Sequence, residues 1–364
     1  MKQHRVLIGD CIESMRTLQD QSVNTCVTSP PYYGLQDYGM AGQIGLEETP
    51  AEFIERLVEV FREVRRVLRN DGTVWVNMGD TYASIAGGYA PGGSAGKHDM
   101  VSQATRGAVL RGTRRSPPGG LKQKDLMGIP WRLAFALQDD GWYLRQDIIW
   151  HKPNPMPEST RDRCTKSHEY LFLLSKSPRY YYDQDAIREP VALSSITRMA
   201  QDLEQQRGSD RVPGKSNGPM KAVRSKRDSF KRDDSKREQP IPGQSLGTHR
   251  PEREESAWPL DTRNKRSVWT VPTQGFKGAH FATFPPDLIR PCILAGAPLG
   301  GIVLDPFGGA GTTAVVAMQE GRKSILCELN PEYAAMAERR IASAWLDGAA
   351  QMDVFRDTVQ HPAA

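Results

Sequence analysis

Apolar and polar positions follow two different periods along this chain. Short apolar runs bounded by turn residues predict strands, and apolar residues three or four positions apart predict helices. The predicted strands cover 6–8, 22–28, 73–77, 144–150, 170–175, 302–304 and 324–327. The predicted helices cover 11–18, 129–137, 286–295, 312–320 and 331–346, with one more that starts after Thr49 and is stopped by 70–72. This alternation indicates an α/β fold: a mostly parallel, Rossmann-like sheet with helices on both faces.

The helix after Thr49 has the best-defined start. Thr49 can cap its N-terminus, Pro50 suits the first helical position, and Glu52 places an acid in the first turn. Apolar residues then recur at helical spacing from Phe53 to Leu68. We expect this helix to cover one face of the sheet.

The periodic pattern disappears in two regions. Gly, Pro, Arg and Lys dominate 87–124, which we expect to be a flexible basic loop. The second region, 194–266, has more Lys and Arg than Asp and Glu and repeats a Lys-Arg pair every five residues. It is either a solvated, partly disordered linker or an inserted functional region. We therefore expect two parts of one core, an insertion and a tail: 1–193, 267–348, 194–266 and 349–364.

Composition narrows the class of protein. A chain of 364 residues, 38% of them hydrophobic, suits one large α/β domain with polar loops. Its net charge of +5 comes from the basic region 194–266, which favours a nucleic-acid partner. The five cysteines lack metal-ligand spacing, so we expect reduced thiols and no metal site. Neither a signal-peptide core nor a membrane-spanning run is present, so we expect a cytoplasmic, DNA-associated protein that does not bind a membrane.

A glycine-rich segment, here called the donor motif, lies between a predicted strand and a predicted helix. It reads Asp305-Pro306-Phe307-Gly308-Gly309-Ala310-Gly311-Thr312-Thr313. A strand, a glycine-rich turn and a helix N-terminus form a general nucleotide-binding device. A P-loop is excluded because no Lys precedes the threonines, and only the first half of the dinucleotide fingerprint is present. A tight turn without a ligand is the alternative interpretation.

Two further features favour a ligand at the donor motif. Glu328 ends the next strand, where an acid can accept hydrogen bonds from ribose hydroxyls. Upstream, the segment 280–286 contains Phe284, an aromatic side chain that could pack beside a ligand.

A second motif, here called the base motif, follows the predicted strand 22–28. It consists of Ser29, Pro30, Pro31 and Tyr32. The exocyclic amine of cytosine or adenine is a poor nucleophile because its lone pair is delocalised into the ring. Acceptors on its two hydrogens favour the pyramidal amine and later take the proton, and Ser29 and the Pro30 carbonyl can serve as those acceptors.

The rest of the base motif suits a base outside the helix. The two prolines stiffen the turn. Tyr32 offers a flat face to a base that has been turned out of the duplex, inside which the amine is inaccessible. A structural Pro-Pro turn ended by an aromatic residue is the alternative interpretation.

Together the two motifs resemble those of amino-methylating DNA methyltransferases that use S-adenosyl-L-methionine. The base motif precedes the donor motif with a basic insertion between them, which resembles the β group of these enzymes. The resemblance implies base flipping and catalysis by the base motif. It also implies cofactor contacts from Asp10, Cys11, His280, Thr283, Phe284, Asp305, Phe307, Gly308, Gly309, Gly311, Thr312, Thr313 and Glu328.

The resemblance leaves the target base open. Ser29 at the head of the base motif slightly favours N4 of cytosine, while N6 of adenine stays as the alternative with the same fold and mechanism. We expect direct transfer without a covalent enzyme–DNA intermediate. Cys292, which follows Pro291 and so resembles a cytosine-C5 methyltransferase nucleophile, lies within a predicted helix and is expected in the core.

Double-stranded DNA is the expected partner. By the resemblance, 194–266 takes the place of a target-recognition region, and basic residues in both non-periodic regions could contact phosphates or bases. The candidate DNA-binding residues are Arg111, Arg114, Arg115, Lys152, Arg224, Lys226, Arg227, Lys231 and Arg232. A homodimer and a cognate restriction endonuclease are further partners that the family implies.

Two other classes of protein stay open. One is an RNA or protein methyltransferase on the same core, against which the basic insertion and Ser29 argue. The other is an inactive DNA-binding regulator, against which the complete motif set argues.

Overall fold

The computed structural model describes residues 3–34, 39–83, 120–192, 262–274 and 284–360, with side chains as far as residue 346. Its contacts divide the chain into two units. The first comprises Met1–Ile187 and Arg266–Ala364, and the second comprises Arg188–Lys265. Within the described ranges, no helix is long and apolar enough to cross a membrane.

An eight-stranded sheet forms the centre of the first unit. Its strands are β1 (His4–Ile8), β2 (Val23–Thr28), β3 (Leu68–Met78), β4 (Tyr143–His151), β5 (His168–Ser175), β8 (Val268–Thr270), β9 (Ile302–Asp305) and β10 (Lys323–Glu328). They lie in the order β1-β10-β9-β2-β3-β5-β4-β8. Every neighbouring pair is parallel except the two that involve β5, which runs opposite to both β3 and β4. The predicted mostly parallel sheet is confirmed.

Helices cover both faces of this sheet. They are α1 (Cys11–Arg16), α2 (Pro50–Val67), α3 (Ile129–Asp139), α4 (Pro286–Gly296), α5 (Thr312–Gln319) and α6 (Pro331–Gln360). Buried side chains of α1, α2 and α3 form one apolar core with the sheet, and those of α4 and α5 contribute to a second. Cys292 is fully buried in α4 and its thiol donates to the Leu288 carbonyl, so the expected core position is confirmed.

The start of α2 follows directly from its sequence. The Thr49 hydroxyl accepts from the backbone N–H of Glu52, and the Glu52 carboxylate accepts from the backbone N–H of Thr49. This capping box satisfies two otherwise free donors, and Pro50 occupies the first turn, where no N–H is needed. The predicted start of the helix is confirmed.

Two element boundaries differ from the prediction by more than two residues, the start of β3 and the end of α6. The turn residues 70–72 lie inside β3. The pairing of β3 with β2 shifts register between Val23 and Thr25, and this irregularity accommodates them. A Cβ on Gly72 would lie 2.9 Å from the Asn24 carbonyl oxygen, so glycine is needed there by close packing. At the other end of the chain α6 continues to Gln360, because Ala, Gln and Met after Gly348 favour helix more than that one glycine opposes it.

The second unit begins and ends in a short antiparallel pair. β6 (Glu189–Pro190) pairs with β7 (Thr262–Arg263), and the Arg263 guanidinium donates to the Glu189 carboxylate over 2.9 Å. Arg188 donates to the hydroxyl and the carbonyl of Thr262. The predicted insertion 194–266 falls almost entirely in this unit, but most of it, like most of the predicted loop 87–124, lies outside the described residues.

Candidate functional site

A pocket opens at the carboxyl ends of four adjacent strands, β1, β10, β9 and β2. Residues after each of these strands line it, because parallel strands bring their carboxyl ends to one edge of the sheet. Those predicted from the sequence are Asp10, Cys11, Ser29, Pro30, Pro31, Tyr32, Phe284, Asp305, Phe307, Gly308, Gly309, Thr312 and Glu328. The base motif and the donor motif, 273 residues apart from Tyr32 to Asp305, thus face one cavity.

Asp305 holds the donor motif against the base motif's strand. Its carboxylate, 1% exposed, accepts from the hydroxyls of Thr28 and Thr313, both over 2.6 Å, and from the backbone N–H of Phe307. Burial raises the pKa of Asp305, and the three hydrogen bonds oppose that rise. The carboxylate therefore ties β2, the glycine-rich turn and the first turn of α5 together.

Glu328 ends β10 beside the same turn. One carboxylate oxygen accepts from the backbone N–H of Gly309 over 2.7 Å, and the other accepts from that of Asn330 over 2.9 Å. Burial raises the pKa of Glu328, while both backbone donors lower it. Each oxygen keeps a second lone pair with which it can accept a hydroxyl from a molecule in the pocket.

The N-terminus of α5 meets the pocket at Thr312. Gly311 occupies the N-cap with φ +80° and supplies no side chain to cap the first turn. A Cβ at this position would also lie 2.8 Å from the Cβ of Ala337 in α6. Arg340 of α6 donates to the Ala310 carbonyl and to the Thr312 hydroxyl, which fixes the turn from behind.

Asp10 and Cys11 lie at the other end of the pocket. The Asp10 carboxylate caps α1 by accepting from the backbone N–H groups of Ile12 and Glu13. Burial and the neighbouring Asp10 charge raise the pKa of the Cys11 thiol to about 12, so this thiol stays neutral.

Tyr32 is fixed by a network of polar side chains. Its hydroxyl donates to one Glu169 carboxylate oxygen over 2.6 Å. The Asn77 amide donates to that same oxygen over 3.2 Å, and Lys152 donates to the other. Burial and the Glu169 charge raise the pKa of Tyr32 well above its ordinary value, so its phenol stays a hydrogen-bond donor.

The Tyr32 ring also lies close to the main chain after β3. A Cβ on Gly79 would lie 2.6 Å from Cε2 of that ring. The ring is therefore held from one side by the backbone, while it lines the pocket.

The remaining predicted residues fall in three groups. Gly311 and Thr313 support the turn from behind and do not line the pocket. Lys152 is 18% exposed and lies between Glu169 and the Trp150 ring, with its ammonium 4.3 Å from the ring centre. Outside the described residues lie His280, Thr283, Arg111, Arg114, Arg115, Arg224, Lys226, Arg227, Lys231 and Arg232.

Some residues that line the pocket were not predicted from the sequence. The pocket is also lined by Gly9, Met40, Gly42, Gln43, Ile44, Pro306, Ala310, Leu329, Asn330 and Tyr333. Asn330 and Tyr333 follow Glu328 closely, so their position after β10 was a usable signal. The segment 40–44 lies in an irregular loop with no periodic pattern that would place it there.

The pocket suits a molecule such as S-adenosylmethionine. It combines an acceptor for hydroxyls at Glu328, a helix N-terminus at Thr312 and apolar walls that include Phe284, Phe307 and Tyr333. The acceptor suits the ribose, the helix N-terminus suits the carboxylate of the amino-acid group, and the apolar walls suit the adenine.

Comparisons with known proteins agree on one family. A DNA methylase family model, that of the N6/N4 methyltransferases, matches residues 23–339. The type II methyltransferase M.Cfr9I of Citrobacter freundii is 45% identical over 334 residues, 92% of this chain and 86% of the relative. M.SmaI of Serratia marcescens, also a type II methyltransferase, is 41% identical over 337 residues, 93% of this chain and 90% of the relative.

Solved structures share the fold. The cytosine-N4-specific PvuII DNA methyltransferase superposes with a TM-score of 0.54 at 18% identity, over 92% of this chain and 85% of that chain. A proposed DNA modification methylase from Thermus thermophilus, in complex with S-adenosyl-L-methionine, gives a TM-score of 0.51 at 20% identity, over 94% of both chains. At these identities the likeness concerns the fold alone.

Proposed function

Since the chain belongs to the N6/N4 DNA methylase family, whose members transfer a methyl group from S-adenosylmethionine to an exocyclic amine of DNA, we propose that its target is N4 of cytosine in duplex DNA. Methyl transfer is supported by the base motif and the donor motif lining one pocket, and the choice of cytosine rests on Ser29 at the head of the base motif. A methyl acceptor and a methyl donor held there would meet without moving either motif.

Ser29 and Pro30 would activate the target amine. The Ser29 hydroxyl or backbone and the Pro30 carbonyl can accept from its two hydrogens, which favours the pyramidal, nucleophilic amine. Bound S-adenosylmethionine would supply the methyl group at its sulfonium, and an acceptor of the base motif would take the proton that the amine loses. Ser29, in place of an acid, supports cytosine over adenine as the target.

Tyr32 would hold the base. The target nucleotide must leave the helix because its amine is inaccessible there, and an aromatic face then stabilises the extruded base. The Tyr32 ring lies close to Gly79 and its hydroxyl donates to Glu169, so its position is set before DNA binds. This preorganisation reduces the free-energy cost of placing the base.

We propose the following places for the three parts of the cofactor. The Glu328 carboxylate would accept from the ribose hydroxyls, and the first turn of α5 would face the amino-acid carboxylate. By the family resemblance, Asp10 and Cys11 would lie near the adenine. Asp305 would act indirectly by holding the turn, because its carboxylate accepts hydrogen bonds from protein groups. The resemblance also assigns His280, Thr283 and Phe284 to the amino-acid part.

DNA binding would depend on the two basic regions, 87–124 and 194–266. Lysine and arginine there can neutralise phosphates, and a few side chains can read base edges.

Relatives of this chain are named type II methyltransferases, which supports a role beside a cognate restriction endonuclease. Homodimerisation stays a prediction of the family resemblance.

Replacing Ser29 or Tyr32 by alanine tests the assignment. Each change should lower methyl transfer to DNA by about 100-fold or more, since a hydrogen bond made in the transition state or a stacking face is lost. Binding of S-adenosylmethionine, measured by calorimetry, should stay within about twofold because the donor motif is intact. Normal transfer by both variants would refute the role of the base motif.

A further inference from the structure

Glu169 occupies an unusual place at the edge of the sheet. It is the second residue of β5, the strand that runs antiparallel to its neighbours β3 and β4. The beginning of β5 therefore lies where β3 and β4 end, at the same edge as the base motif. A carboxylate at this point can reach a residue that follows a parallel strand.

The Glu169 carboxylate is half-buried and accepts three hydrogen bonds. The side chain is 13% exposed. One oxygen accepts from Tyr32 and Asn77, and the other accepts from Lys152. Lys152 balances the charge of the carboxylate, and a charged carboxylate accepts a stronger hydrogen bond from a phenol than a neutral group does.

Glu169 and Gly79 together restrict the Tyr32 ring. The close approach of Gly79 limits movement of the ring at Cε2, and the hydrogen bond at the hydroxyl holds the far end of the ring. The residue held in this way still lines the pocket. The hydroxyl is already directed into the protein and is not needed for the base.

We propose that Glu169 is a positioning residue for methyl transfer, which acts by anchoring the Tyr32 hydroxyl so that the ring presents its face to the extruded base. This rests on the proposed stacking role of Tyr32. Glu169 itself does not line the pocket and acts through Tyr32, so it is not a catalytic residue. Lys152, in turn, serves this anchor and not a DNA phosphate.

A double-mutant cycle on the full chain tests this proposal. The variants are Glu169→Met, Tyr32→Phe and both together, with Glu169→Gln as the matched control that keeps an acceptor. The probe is genomic DNA from a methylation-deficient bacterial strain, and the readout is tritium transfer from methyl-labelled S-adenosylmethionine. Melting temperature and cofactor affinity are measured on every variant.

Loss of the anchor should lower kcat for DNA by about 10- to 100-fold in Glu169→Met and in Tyr32→Phe, as expected for a hydrogen bond to a charged group. In the Tyr32→Phe background, Glu169→Met should then change kcat by less than about twofold. Glu169→Gln should retain kcat within about threefold, since its amide oxygen can accept from the phenol.

Two results would overturn the proposal in different ways. If Glu169→Met costs the same factor with Tyr32 and with Phe at position 32, Glu169 supports only the fold and does not position the ring. If Tyr32→Ala itself retains full transfer, the stacking role of Tyr32 fails, and the proposed function of the base motif fails with it.

Discussion

At the scale of single residues, two carboxylates beside one glycine-rich turn do different work. The fully buried Asp305 carboxylate accepts from Thr28, Thr313 and Phe307, so it acts as a structural tie. The half-buried Glu328 carboxylate accepts one backbone N–H group on each oxygen and keeps a second lone pair on each, so it can bind a ligand as well. Carboxylates at the ends of two adjacent strands thus have two roles, which burial and hydrogen-bond partners decide.

Cofactor affinity should depend on pH through Glu328. Burial raises the pKa of Glu328 above its ordinary value, so its contribution to folding stability is lost as pH rises through the raised pKa. Ribose hydroxyls favour the carboxylate, so affinity for S-adenosylmethionine should rise over that same interval. Calorimetry should show this rise for the wild type.

Glu328→Gln is the matched control for that titration. It should bind about 10-fold more weakly, as expected when hydrogen bonds to a charged acceptor are lost, and its affinity should not follow pH in this interval. A pH dependence that survives unchanged in this variant would assign the titration to another group.

The pocket residues that were predicted from the sequence are mainly those that follow parallel strands. Asp10, Ser29, Asp305 and Glu328 all do, and all line the pocket. Glu169 precedes its strand's apolar run, and only the reversed direction of β5 brings it to the site. Strand direction depends on pairing between distant segments, which no local pattern encodes.

At the scale of elements, the helix boundaries with strong local signals were predicted best. The capping box at Thr49 satisfies its own donors, so its position depends on nearby residues alone. The turn signal at 70–72 was misleading because the register shift between β2 and β3 accommodates these residues inside a strand. The end of α6 was missed because Gly348 is a weak stop in an alanine-rich stretch.

Thr49→Ala should lower the free energy of unfolding by about 1 kcal/mol, the usual cost of losing an N-cap side chain. The activity should not change, since the cap lies on a helix that packs in the core and does not line the pocket. Denaturant unfolding measures the first effect and methyl transfer the second. Thr49→Ser, which keeps the hydroxyl, should match the wild type, and equal losses in both variants would show that the cap is not the cause.

At the scale of the whole molecule, the chain separates a methyl-transfer core from an insertion. The base motif and the donor motif both belong to the first unit. The second unit starts and ends at the β6–β7 pair, where Pro190 lies opposite Thr262. Because its ends are neighbours, the insertion can be exchanged without separating the parts of the core.

Replacing 194–261 by a short Gly-Ser linker tests this division. The variant should bind S-adenosylmethionine within about twofold of the wild type, because no pocket residue is removed. Methylation at specific DNA sites should fall by about 100-fold or more. The affinity of a DNA-binding protein for its specific site exceeds its affinity for non-specific DNA by a larger factor than that. Sequencing of methylated DNA measures the second effect, and unchanged site specificity would place recognition elsewhere in the chain.

The most direct test of the account is nucleoside mass spectrometry on DNA from cells that express the protein, beside cells that express Tyr32→Ala. We expect N4-methylcytosine with the wild type and its loss in the variant. N6-methyladenine in its place would contradict the assignment of the target base. The absence of both methylated nucleosides from wild-type DNA would contradict the central claim that the two motifs transfer a methyl group to a base.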